Sequence, residues 1–192
     1  VAADVYSRIL DFSDRRTAVL FGDGAGAAVV GAVPDGHGIL ETELVSRGAA
    51  HQLIRVEAGG SRLPASAETV ANGDHYFRMD GRGVRDFVAE HVPPVLAGML
   101  ERAGLHAKDV DHFVPHQANG VMLRELVDLA QLDGATTHLT LDRYGNVGSA
   151  SVPVALDAAA RSGQLLDGDL VLLAGFGGGM AVGASVLRWH QH

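Results

Sequence analysis

The sequence predicts a layered α/β fold, on three observations. From residue 75 onward, short apolar runs alternate with segments of 3–4-residue apolar spacing, in the order β, α, β, α, β, α, β, β. Apolar residues make up 47% of the 192 and charged residues 20%, which supplies a core and argues against disorder. Glycine, at 25 residues, is about 13% of the chain against a usual value of about 7%. The glycines cluster between apolar runs, where tight turns and close backbone approach need them.

Each element follows from local pattern. Thr17–Phe21 is a short apolar run, read as a buried strand, and Ala27–Gly31 as a second. The glycines at 22, 24 and 26 between them read as a hairpin turn. This opening strand pair belongs to a neighbouring sheet. Gly36–Val45 alternates at Leu40, Thr42 and Leu44, the mark of a half-exposed strand. Residues 46–74 read as a long surface excursion, and long loops tend to be functional. Gly81–Gly104 is helical by the spacing of Val84, Phe87, Val88, Val92, Val95, Leu96, Met99 and Leu100. Pro93 and Pro94 predict a kink or break near residue 92. Asp111–Val114 is a strand. Asn119–Leu132 is a helix, with Met122, Leu123, Leu126, Val127 and Ala130 on one side. Thr137–Leu141 is a strand. Ser149–Ser162 is a helix, capped by Ser149 or Ser151, with Pro153 in its first turn and Gly163 at its end. Asp169–Ala174 and Ala181–Arg188 are the last strands, joined closely enough for an antiparallel pair.

Composition excludes several function classes. Net charge is −8, from 15 basic and 23 acidic residues, and Lys108 is the one lysine beside 14 arginines. That argues against general nucleic-acid binding while allowing a local arginine patch. No run approaches the ~20 apolar residues of a membrane span, and no signal-peptide pattern follows Val1. With no cysteine, the chain supplies no disulfide, no thiolate zinc site and no thiol nucleophile. The length suits one domain, or one and a fraction.

Three positions could carry chemistry. Neither Gly22–Gly26 nor Gly175–Gly179 matches a dinucleotide or phosphate-loop fingerprint. Three successive glycines at 177–179 exceed what a hairpin requires and expose backbone N–H groups to a ligand. His116 and Asn146 each sit after a strand and before a helix, where ligands bind in α/β sheets. A helix N-terminus would favour a neutral imidazole at His116. The alternatives are a helix cap for His116 and a turn residue for Asn146. His112 and His116 are four apart, but Pro115 and a strand between them spoil a helical metal pair, so no metal is expected. His190 and His192 read as solvated tail residues.

These residues resemble the C-terminal part of a β-ketoacyl-acyl-carrier-protein synthase III, in the thiolase-like superfamily. The matching segments run from end to end: Asp14–Thr17, Leu20–Ala28, Phe77–Gly81, Pro115–Asn119, Leu141–Pro153, Gly168–Leu173 and Gly175–Gly179. The resemblance implies a layered αβαβα fold in two related halves. Residues 1–34 would be the last strands of the N-terminal half and residues 35–192 the C-terminal half. It also implies a decarboxylative Claisen condensation of an acyl-CoA starter with malonyl-acyl-carrier protein. His116 and Asn146 would hold the thioester oxygen as CO2 leaves. The N–H of Gly178 would serve the oxyanion hole of acyl transfer, Asn119 and Gly81 would touch the pantetheine arm, and Arg15 would stack on the CoA adenine. CoA thioester is then a substrate, with no cofactor. The implied setting is a cytoplasmic homodimer in fatty-acid or polyketide biosynthesis, completed by the remaining N-terminal half.

The chain departs from the family pattern in three places. The nucleophilic cysteine is absent and would lie upstream of Val1. Val121 stands where many members have an arginine that docks the carrier protein, and Arg124 one turn on is the substitute candidate. Met180-Ala-Val182 replaces the usual run after the triple glycine, implying an altered wall near the site. The chain alone is expected to be a fragment that does not fold stably. Two other functions fit the same motifs: acyl transfer without decarboxylation, and a non-catalytic partner or structural half.

Overall fold

The computed structural model describes residues 1–191. β1 (Ala2–Asp4) and β2 (Gly24–Gly26) form an antiparallel ribbon, with the one-turn α1 (Arg15–Ala18) between them. The opening does hold a strand pair, though not the expected one. Within Thr17–Phe21 a helical turn forms instead, because Asp14 caps it by accepting from Arg16 N at 3.1 Å. Residues 27–31 lie outside any strand. The glycines at 22–26 are not a hairpin turn; they let two backbones meet. A Cβ on Gly22 would sit 2.4 Å from the Tyr144 carbonyl oxygen.

β3 (Gly38–Ser46) agrees with its alternation: Leu40, Thr42 and Leu44 face outward. Glu41 and Glu43 face inward and pair with Arg102. The excursion after it is more ordered than expected. It holds a 3₁₀ stretch at Gly48–Leu53, β4 (Ile54–Val56) and α2 (Ala67–Ala71), the last closed by a Ser66–Thr69 capping box. β5 (Phe77–Met79) pairs with β4.

α3 (Gly81–Arg102) passes through Pro93 and Pro94 without a break. Val84, Phe87, Val88, Val92, Leu96, Met99 and Leu100 are all buried in one core. Each such side chain contributes about 1.5–3 kcal/mol, so burial on both sides of the prolines outweighs their cost of ~3 kcal/mol or more.

The main sheet comes next. β6 (His112–Pro115) leads to α4 (Gly120–Leu129), then β7 (Thr136–Thr137) and the short α5 (Leu141–Tyr144). The expected strand at 137–141 therefore shrinks to two residues. α6 (Ser151–Arg161), β8 (Leu170–Gly177) and β9 (Ala181–Arg188) complete the chain. Neither Ser149 nor Ser151 caps α6, whose N-cap is Ala150. The Ser149 hydroxyl donates to Asp4 Oδ2 at 2.6 Å instead. Strand order is β3-β9-β8-β6-β7. β8 and β9 are antiparallel as expected, and β6 lies parallel to both β7 and β8.

α3 and α4 cover one face and α6 the other. Phe113 and Leu172 point to the first core, Val114 and Val171 to the second. β6 is buried on both faces, which is why it reads as a continuous apolar run rather than an alternation. The C-terminal ends of β6 and β8 consequently emerge side by side, with His116 N donating to Ala174 O at 2.7 Å.

Candidate active site

Two cavities open at that end of the sheet. The smaller, about 150 Å³, is lined by His116, Asn146, Gly178, Gly81 and Asn119 among others. The larger, about 620 Å³, shares His116 and Gly178 and adds Asp4, Gly148 and Ser149. Five of the six site residues named from the sequence thus meet in one cavity. Arg15 does not: it stands exposed on α1 and lines neither cavity.

His116 is deprived of water, and burial pushes its imidazole down to about 4. The Gly148 backbone and the Asp4 charge pull the other way, but burial wins. The ring is therefore neutral at pH 7. The sequence anticipated neutrality but assigned it to a helix terminus; α4 starts only at Gly120, and desolvation is the larger cause. The ring also meets Phe176 edge-on at 5.4 Å.

Asn146 is buried, and its Oδ1 accepts from Gly148 N at 3.0 Å. That contact fixes the amide orientation and leaves Nδ2 as the available donor. The backbone around it is anchored from the opening segment. Asn146 N donates to Leu20 O at 2.8 Å, and Gly22 N donates to Asn146 O at 2.9 Å. Gly148 has φ +59°, where a Cβ would fall 2.5 Å from Asp4 Oδ2. Glycine is required there on both counts.

Asn119 does cap a helix: Oδ1 accepts from Val121 N at 2.9 Å and Met122 N at 3.3 Å while the residue still lines the cavity. Gly178 is not glycine for packing reasons, since its Cβ would meet only Ile54 Cγ2, at 3.9 Å. An open backbone beside the cavity is what a donor N–H needs. Among the departures, Met180 is fully buried in the core and does not form the wall, whereas Ala181 and Val182 line the larger cavity. Val121 is 56% exposed on α4 and Arg124 is exposed one turn on.

Sequence reasoning missed several supporting residues. Asp4 Oδ2 accepts from Ser149 N at 2.7 Å as well as from its hydroxyl, tying β1 to the Asn146 loop. Gln117 is wholly buried. Its Nε2 donates to Pro115 O at 2.9 Å and His138 O at 3.1 Å, and its Oε1 accepts from Thr140 N at 2.9 Å. These bonds fix the loop that carries His116. Tyr6, Phe21 and Phe77 pack together along the cavity in tilted and edge-on contacts, with centroids 4.6–5.4 Å apart. Burial raises the Tyr6 hydroxyl. The His-Gln-Ala-Asn motif contained the sequence signal for Gln117, and Phe21 and Phe77 lay in segments matching the family without being singled out; Asp4 and Tyr6 gave no signal.

His112 is not a ligand partner of His116. Its Nε2 lies 3.0 Å from Asp169 Oδ2 and its Nδ1 3.0 Å from His138 Nε2, inside the fold. His190 corrects the solvated-tail expectation, because its Nδ1 lies 3.0 Å from Asp167 Oδ1; His192 lies outside the described residues. No helix among the described residues is long and apolar enough to cross a membrane.

Known proteins resemble this chain in sequence and fold. The family model for 3-oxoacyl-[acyl-carrier-protein] synthase III matches residues 1–48, and the model for its C terminal matches residues 100–189. The acetoacetyl-CoA synthase NphT7 of Streptomyces sp. (strain CL190) is 52% identical over 191 residues, covering 98% of this chain and 58% of that protein. The β-ketoacyl-[acyl-carrier-protein] synthase III of Clostridioides difficile is 46% identical, over 98% of this chain and 57% of its own length. The crystal structure of the Thermus thermophilus synthase III superposes with a TM-score of 0.87 at 37% identity, covering 99% of this chain and 58% of that one. The chain thus spans under three-fifths of the length of these relatives. With both family models, sequence identity and fold in agreement, the chain belongs to the β-ketoacyl-acyl-carrier-protein synthase III family of the thiolase-like superfamily.

Proposed function

We propose that this chain supplies the oxyanion-binding side of a condensing active site. The reaction joins an acyl-CoA starter to a malonyl thioester by decarboxylative Claisen condensation. One observation carries the reading: a neutral His116, the Asn146 Nδ2 and the Gly178 backbone line one small cavity. When the malonyl C–C bond breaks, its electron pair moves into the thioester, and the enolate oxygen takes hydrogen bonds from His116 and Asn146. A neutral ring has a single N–H, so this role requires the tautomer that aims it at the substrate rather than at the Gly148 backbone. CO2 leaves. The carbanion then attacks the acyl carbonyl of an acyl-enzyme, whose oxyanion meets the Gly178 N–H, and the thiolate departs. The accepting thiol would come from a cysteine outside these 192 residues, since the chain has none.

Pantetheine would run past Asn119 and Gly81 into the cavity, with Arg15 on the adenine outside it. The reading includes a cytoplasmic homodimer completed by an N-terminal half, and exposed Val29 and Val30 beside β2 support such cover. A malonyl group carried on CoA is favoured over one on carrier protein by the apolar Val121 at the start of α4. The Streptomyces relative, named for a CoA-linked product, acetoacetyl-CoA, supports the same choice.

The test uses the intact synthase with malonyl-CoA and malonyl-acyl-carrier protein in parallel. His116→Ala should lower decarboxylation by about 10²–10³-fold while leaving acylation of the nucleophile largely intact. Wild type should show the higher kcat/KM with malonyl-CoA. Undiminished decarboxylation by the variant overturns the role of His116. A preference for the carrier-protein substrate overturns the choice of carrier alone.

A further inference from the structure

We propose that His37, Asp167 and His190 bind a divalent transition-metal ion of the zinc class. The site lies at the end of the sheet opposite the two cavities. His37 precedes β3, Asp167 precedes β8 and His190 follows β9, and the register brings these three ends together: Gly38 and Leu170 both pair with Arg188.

The donor atoms already converge. His37 Nε2 is 3.5 Å from Asp167 Oδ2, and His190 Nδ1 is 3.0 Å from Asp167 Oδ1. One ligand atom from each residue lies within 4.8 Å of the others. Zinc bonds of about 2.0–2.1 Å place tetrahedral donors roughly 3.3 Å apart; the two rings approach different oxygens of Asp167, so a small rotation of the carboxylate would bring one oxygen to that spacing from both. The two imidazoles meet edge-on, with planes 63° apart and centroids 5.1 Å apart, and bringing their nitrogens onto one ion is a side-chain movement. His37 Nδ1 is buried without a hydrogen-bond partner, so Nε2 is the polar outlet of that ring.

The backbone holds these side chains in place. Trp189 N donates to Asp169 O at 2.8 Å, and Gly168 N donates to Trp189 O at 2.9 Å. Arg188 Nη1 donates to Gly168 O at 3.0 Å. These bonds lock the segment after β9 to the loop before β8. The Gln191 N–H donates to Asp167 Oδ1 at 2.9 Å and so orients the carboxylate. Two imidazoles and one carboxylate form a borderline donor set that suits zinc, cobalt or nickel rather than magnesium or calcium. Water would fill the fourth position. The ion would clip the start of the edge strand β3 to the segment leaving β9, away from the chemistry.

The test is calorimetric titration of ZnCl2 into the intact, chelator-stripped synthase. Cobalt absorption reports geometry, and circular dichroism verifies the fold of each variant. One saturable ion per chain is expected, with a tetrahedral cobalt band and a rise in Tm of about 5 °C at saturating zinc. His37→Gln and Asp167→Asn should each weaken binding by 10-fold or more, while His106→Gln, an exposed histidine elsewhere, should not. Absence of a saturable site, or wild-type affinity in both His37→Gln and Asp167→Asn, overturns the proposal. Because condensation does not use this site, either result leaves the catalytic reading standing.

Discussion

Replacing Asp4 with Asn tests whether β1 acts on the chemistry or only on the fold. The carboxylate accepts from Ser149 N at 2.7 Å and Ser149 Oγ at 2.6 Å. Bonds to a charged acceptor contribute about 1.5–3 kcal/mol each. Asn is nearly isosteric and keeps one neutral acceptor, so about 1–2 kcal/mol should be lost, equivalent to a fall in Tm of roughly 3–6 °C. A merely structural residue would stop there. Asp4 also holds the turn that presents Asn146 and Gly148 to His116, and its charge raises the His116 pKa. Looser positioning should lower kcat by about 10-fold with a smaller change in KM, because ground-state binding relies on other walls of the cavity. Removing the charge should also move the acidic limb of the rate profile to lower pH, since protonating His116 becomes harder. The assay is steady-state condensation by the intact synthase from pH 3 to 8, with thermal unfolding on the same samples. A lower Tm with unchanged kcat would show that Asp4 only supports the fold. An acidic limb moving to higher pH would refute the electrostatic argument.

Gln117→Leu keeps the volume but strands Pro115 O, His138 O and Thr140 N, all partners of the buried amide. At about 1–3 kcal/mol for each buried unpaired group, the loss should reach about 3 kcal/mol or more by chemical denaturation; a loss under about 1 kcal/mol would show that the loop re-pairs without it. His116 sets a pH dependence of stability. Its folded value of about 4 lies below the 6.5 of an unshifted ring, so between them the unfolded chain binds the extra proton. The contribution is intact above pH 6.5 and lost as pH falls through about 4, some 3 kcal/mol in all. Unfolding free energies at pH 7, 5.5 and 4.5 should fall more steeply for wild type than for His116→Asn, and parallel slopes would contradict a buried neutral ring.

What the sequence disclosed and what it hid divide along the range of the forces involved. α4 and β9 could be read closely because their signals are local: Asn119 is its own cap, and β9 alternates residue by residue between core and opposite face. The continuity of α3 could not be read from its prolines, because the compensation lies in the strands and helix packed against it. The opening segment was misplaced for the same reason. Nothing within Thr17–Gly31 says that its backbone will pair with residues near Tyr144 and Pro153, yet those contacts decide which glycines form β2. The site shows the same split. His116, Asn146 and Gly178 were legible as polar or open positions at strand ends, a topological rule that needs only the order of elements. Asp4 and Gln117 act by reaching other segments, and the His37–Asp167–His190 cluster joins three strand ends far apart in sequence. A site of the proposed kind must hold its donors where charge develops, and that rigidity is built from long-range bonds. The groups proposed to meet the substrate were therefore easier to read from this chain than those that hold them still.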